Sequence, residues 1–176
     1  VKTNNNLNIF GNLEIESGVF DPQDNTIFIK GDWINNAGPE SFINGSGKVV
    51  FNGSAMQYCS TSQFSILEIN KPTGLLYNYP SCDITCQVFE IIEGGVSISQ
   101  GIFTANSLSK SSINGVYHVS TGGVINLHQS ANKEIDLFGD FVFDNGGTIN
   151  IYGGSSKSIW GFGDLNIIMD GGVFDF

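Results

Sequence analysis

The chain has 176 residues, a formal net charge of −10, 40% hydrophobic residues and only 14% charged ones. The apolar share rules out a disordered chain, while the charged share falls well under the usual quarter of a soluble domain, so the polar surface must be built from uncharged Asn, Ser and Thr. Every one of the 7 basic residues is a lysine, which argues against a nucleic-acid partner, for lack of a cationic track, and against a phosphate-bearing cofactor, for lack of the guanidinium fork.

No run of eighteen apolar residues occurs, so no segment reads as a membrane span. The length fits one domain over 1–176. The opening at Val1 and the strand-like close Gly171-Gly172-Val173-Phe174-Asp175-Phe176 read as a piece of a longer chain. The 3 cysteines, Cys59, Cys82 and Cys86, cannot all pair within one chain. Buried free thiols are favoured over a local disulfide, and the latter over a zinc site, because Cys82-x-x-x-Cys86 has no second ligand pair.

In chain order, one motif is Gly, then Asp or Asn, then alternation: Phe10-Gly11-Asn12-Leu13, Lys30-Gly31-Asp32-Trp33, Phe138-Gly139-Asp140-Phe141 and Phe162-Gly163-Asp164-Leu165. A second is Gly followed by a β-branched or apolar residue: Gly18-Val19, Gly95-Val96, Gly123-Val124, Gly147-Thr148 and Gly172-Val173. The last three glycines lie 147 − 123 = 24 and 172 − 147 = 25 positions apart, and Gly139 to Gly163 is again 24. A period of that length is too short for a propeller blade and carries no helical segment, which leaves a coil of strands.

The expected fold is therefore all-β, a parallel β-helix or β-solenoid of about seven rungs stacked about 4.8 Å apart; a β-sandwich is the alternative. Alternation sets the phase. Ile125, Leu127, Ile149, Ile151, Leu165 and Ile167 are expected inward, and Asn126, Asn150 and Asn166 outward. The segment from Pro72 to Cys86, with Pro72, Pro80, Tyr77 and Tyr79, breaks the pattern and is expected to hold a longer loop or irregular rung.

Three stretches carry a resemblance: Gly31-Asp32-Trp33-Ile34-Asn35-Asn36-Ala37-Gly38, then Gly45-Ser46-Gly47-Lys48-Val49-Val50-Phe51-Asn52-Gly53-Ser54-Ala55-Met56-Gln57, then Phe64-Ser65-Ile66-Leu67-Glu68-Ile69-Asn70-Lys71. Together they resemble a repeat of large surface proteins of Bacteroidota, of the form G-[ND]-W-x-N-N-x-G, G-x-G-x-V-x-F-N-G-x-x-x-Q and F-x-N-L-x-I-N-K. Weaker echoes at 124–135 and 149–159 extend the likeness to about half the chain. It departs at Ile66-Leu67 and has no counterpart for 72–86. The resemblance implies a β-solenoid stretch of a long polypeptide exported by the type IX route to the bacterial cell surface, serving as adhesin, stalk or gliding component.

Catalysis would need its own residues. Paired carboxylates for inverting glycoside hydrolysis stand roughly 6.5–9.5 Å apart, and Asp136, Asp140 and Asp144, or Glu90 with Glu93, are the candidates. The Asp residues lie beside glycines at expected bends, where Asp is favoured for its turn hydrogen bonds, and Glu90 and Glu93 read as solvent-facing strand ends. A lyase needs a cation against the substrate carboxylate, and Lys110, Lys133 and Lys157 are too scattered. His118 and His128, near Ser120 and Ser130, show neither a nucleophile elbow nor an orienting acid. A calcium loop at 144–150 lacks the required offsets. Trp33, Trp160, Tyr117 and Tyr152 would make a sugar-stacking platform only if they face outward; core packing is the plainer reading.

The sequence thus assigns no catalytic, cofactor or metal residue. It reads as a structural or adhesive rod whose partners are the rest of its own chain and, in second place, glycans or other cell-surface components. A carbohydrate-binding or carbohydrate-active β-helix is the alternative. Open rungs add end-to-end self-association as a third possibility.

Overall fold

The computed structural model describes residues 1–110, 112, 114–120, 122–128, 139–152 and 165–175, the last stretch as backbone. The chain winds into a β-solenoid of about six turns, nearly all strand, with a single 3-10 turn at Pro39–Ser41 among the described residues. Every strand pairing is parallel, which excludes the antiparallel sandwich.

Each turn has three sides. Side A stacks Leu7–Ile9, Thr26–Ile29, Lys48–Phe51, residues 66–69, residues 88–91 and Leu108–Lys110. Side B stacks Leu13–Ile15, Trp33–Asn35, Gln57–Cys59, then 75–78, 94–99, Gly115–Ser120, 139–144 and 165–170. Side C begins with the bridge Phe20↔Phe42 and continues through 62–64, 84–86, Ile102–Ala105, Val124–His128, 148–152 and 172–175.

Two short chemical rules form the corners. Between sides A and B, the side-chain oxygen of Asn12 accepts the Asp32 N–H at 2.8 Å, and the Asp32 carboxylate accepts the Tyr58 N–H at 2.8 Å, so the first two Gly-Asp/Asn steps each cap the backbone of the following turn. Between sides B and C, Gly146 takes φ +79° while a side chain on Gly147 would come within 2.6 Å of the Val119 carbonyl oxygen. One glycine supplies the left-handed bend and its neighbour lets the adjacent backbone approach.

The expected register holds on side C: Val124 lies over Thr148, Ile125 over Ile149, and Gly147 over Gly172. Ile125, Leu127, Ile149 and Ile151 are buried, with Asn126 and Asn150 outward; the side chains of Leu165, Asn166 and Ile167 lie outside the described residues. Two equivalences change. Leu165, not Gly163, pairs with Gly139, a shift of two that preserves inward and outward phase. Gly95 opens side B, whereas Gly123, Gly147 and Gly172 open side C.

Turn length also varies. From Val49 to Leu67 a turn takes 67 − 49 = 18 residues, from Phe103 to Ile125 it takes 22, and from Ile125 to Ile149 it takes 24. The segment 72–86 is an irregular rung rather than a longer loop: the pairing register shifts between Asn70 and Leu75, Gly74 (φ +75°) makes a corner, 75–78 pairs on both edges, and a turn follows at 79–83.

The core is a single apolar column between the three sides. Trp33 packs edge-on against Phe42 and Phe64 at 4.7 and 5.2 Å between ring centres, and farther along Tyr117 stacks on Phe141 at 4.7 Å. Each fully buried aromatic or aliphatic side chain contributes roughly 1.5–3 kcal/mol.

Candidate functional site

Outward positions on the three sides differ in chemistry. On side A, Lys48 Nζ reaches Glu68 and Glu90, both at 2.7 Å. Burial works against the Lys48 charge, but the two carboxylates outweigh it and hold its pKa above the ordinary value. Glu90, expected to be solvent-facing, is buried beneath this ion cluster, whereas Glu93 is exposed.

On side B, the register Tyr58–Tyr77–Ser97–His118 forms an outward row. Tyr58 lies 5.6 Å from Tyr77 and 5.2 Å from Tyr79 between ring centres. Burial and the neighbouring Asp32 charge raise the Tyr79 pKa. Beyond the tyrosines, the His118 ring bridges two turns: Nδ1 is 2.7 Å from the Ser97 hydroxyl and Nε2 is 2.8 Å from Asp144 Oδ2. A carboxylate only accepts, so Nε2–H donates to Asp144.

That connectivity supplies the orienting acid the sequence did not reveal. The serine is Ser97 on the preceding turn rather than Ser120, and His118 lies within the strand Gly115–Ser120. The three side chains link neighbouring turns. Ser97 is only 4% exposed, and its strand is paired on both edges, so the local N–H groups run along the rod into neighbouring turns and do not converge on a developing oxyanion.

Side C carries rows of uncharged side chains. Asn150 donates through Nδ2 to Asn126 Oδ1 at 2.9 Å, Asn126 donates to the Thr104 hydroxyl at 3.4 Å, and on the flank His128 stacks on Tyr152 at 4.4 Å.

The other sequence candidates are dispersed. Trp33 and Tyr117 are fully buried, so the expected aromatic platform does not form from them; Tyr152 is 47% exposed. Asp140 lies in a straight strand stretch over Val116 rather than at a bend. Lys110 lies over Glu90 on side A. Asp136, Ser130, Lys133, Lys157 and Trp160 lie outside the described residues. The three thiols are free, with Cys59 and Cys86 buried and their pKa values pushed up by desolvation. No group of three or more metal-ligating His, Cys, Asp or Glu residues occurs among the described residues.

One arrangement went unread in the sequence although its residues fall within the stretches quoted above for their resemblance to a repeat. Lys71 is fully buried, and its ammonium donates to the carbonyls of Gly53 and Ala55 and to Gln57 Oε1 at 2.7, 2.8 and 2.8 Å. Gln57, also fully buried, accepts the Gly53 N–H at 2.9 Å and donates to the Ile29 carbonyl at 3.2 Å. Burial lowers the Lys71 pKa to about 8. The F-N-G-x-x-x-Q and I-N-K elements are thus two halves of one polar pin that ties three turns together at a corner.

Comparison with family models, with curated proteins and with solved structures finds no match.

Proposed function

We propose that this chain is a structural and adhesive module of a large secreted bacterial cell-surface protein, a rigid rod that spaces or displays other parts of its chain and has no catalysis of its own. The observation that carries the reading is the unbroken parallel pairing: side B alone runs from Leu13 to Asp170 without an antiparallel or unpaired rung among the described residues. Load along such a chain is shared by many backbone hydrogen bonds and by stacked like side chains, which suits a stalk. The repeat resemblance, with its Gln57–Lys71 pin, supports an exported surface protein of the Bacteroidota type and the type IX route.

Surface labelling of intact source cells with an antibody raised against 1–176, combined with protease shaving, tests the location. Labelling that shaving abolishes is the expected result; antigen found only after lysis would overturn the reading. A reducing-end assay on soluble glycans tests the absence of catalysis. Cleavage that disappears in Asp140→Asn or Asp144→Asn would replace the rod with a carbohydrate-active β-helix.

A further inference from the structure

We propose that the outer surface of side C is a docking strip for a neutral polysaccharide chain. Its central row, Thr85, Thr104, Asn126 and Asn150, places one short hydrogen-bonding side chain on each of four consecutive turns. The flanking row runs from Gln87 and Asn106, joined at 3.0 Å, to His128 and Tyr152. On a chain of net charge −10, these four turns present neither a carboxylate nor an ammonium along either of these two rows; the one acid beside them among the described residues is the exposed Asp83 at the opposite flank of the first turn, where its carboxylate accepts the Ile102 N–H at 2.8 Å. Sides A and B hold the Lys48 ion cluster and Asp144. Charge is thus kept off the two adjoining rows that would face a ligand, with Asp83 at the far flank of the first turn, which fits a ligand that has none.

Order adds to composition. The amides of Asn126 and Asn150 are fixed by their bonds along the row, and each amide carries a second N–H and further acceptor lone pairs. Side chains held in place before binding lose little freedom when a ligand arrives. Parallel turns about 4.8 Å apart repeat that pattern along a line, as an extended glycan repeats its hydroxyls. The exposed Tyr152 ring, backed by His128, offers an apolar face for the C–H side of a sugar.

The inference deepens the adhesive reading and rests on it for its biological setting, but its test needs only the purified chain. Retention on insoluble neutral β-glucan and on chitin is measured against retention on pectate, an acidic polysaccharide. The wild-type chain is expected to be held by a neutral matrix and released by pectate. Tyr152→Ala is expected to weaken retention about tenfold, the scale of one lost stacking contact, and Asn126→Asp with Asn150→Asp to abolish it. Tyr77→Ala on side B is expected to leave retention unchanged, and circular dichroism checks that each variant keeps its β spectrum.

No retention on either neutral matrix, equal retention on pectate, or unchanged retention in the side C variants would overturn the proposal. So would thermal hysteresis without glycan retention, which would mean that the strip orders ice rather than sugar. Surface labelling that succeeds while retention fails would leave the rod standing and remove only its ligand.

Discussion

The early turns and the late turns solve the same stacking problem differently. Around Trp33 to Lys71 the registered turns vary from 18 to 26 residues, and large unlike side chains meet: Trp33, Phe42 and Phe64 fill the column while Gln57 and Lys71 are sunk into a corner. From Gly123 onward, side C repeats at 24 and 25 residues, and like lies over like, Ile125 on Ile149 and Asn126 on Asn150. An irregular turn leaves backbone carbonyls pointing inward that no neighbouring strand can satisfy, so it needs a buried donor. A regular turn satisfies them by pairing alone.

The largest expected effect lies in the early turns. Trp33 is fully buried, and its Nε1–H donates to the Ser62 hydroxyl at 2.8 Å. Trp33→Ala is expected to cost about 3–5 kcal/mol through cavity formation, read by urea denaturation. A loss under about 1 kcal/mol would mean that the aromatic cluster is not what supports these turns. Lys71→Ala comes next, at about 2–3 kcal/mol, because it strands the carbonyls of Gly53 and Ala55 without a donor. Gln57→Leu with Lys71→Met should cost less than the sum of the two single changes, since the partners disappear together.

The same lysine gives the early turns a pH dependence. Its folded pKa of about 8 lies below the ordinary 10.5, so between those values the unfolded chain holds more protons and stability rises with pH. The penalty of burying the charge is present in full below pH 8 and relieved above it. The raised pKa values of Cys59 and Cys86 act in the opposite sense, removing stability once the unfolded thiols ionise near 9.0. The lysine contribution is therefore isolated as the difference between wild type and Lys71→Met from pH 7.5 to 9, expected to move in favour of wild type. A flat difference would place the ammonium in a wetter site than the fold shows.

This contrast also explains what could be read from the sequence. Where the period is constant, two glycines and an alternation are enough to place Ile125, Ile149 and both asparagines on their correct faces. Where turn length drifts, register is lost, and an error of one residue would send each side chain to the opposite face. Ser97, His118 and Asp144 are separated by 21 and 26 residues, two different steps, so no fixed period brings them together. Lys71 reads as an ordinary surface lysine in a charge count, and Gln57, fourteen positions earlier, carries no local pattern that marks it as its partner. Pro72 and Pro80 suggested a loop, yet a three-sided coil needs corners, and Pro72 precedes one while Pro80 lies in another.

The smallest expected effect is the most informative about the late turns. Asn126 bonds to Thr104 and Asn150, but it is half-buried on the outer surface, and the backbone ladder beneath it is complete on both edges. Asn126→Ala removes two partly solvated hydrogen bonds and leaves no buried group stranded, so about 0.5–1 kcal/mol is expected, or about 2–4 °C in melting temperature at the upper end. If the loss instead approached that of Lys71→Ala, the outer row would be holding the late turns together, and its regularity would be explained by stability. A small loss leaves stability unable to account for a row so uniform and so free of charge, and recognition is then the remaining reason for its order.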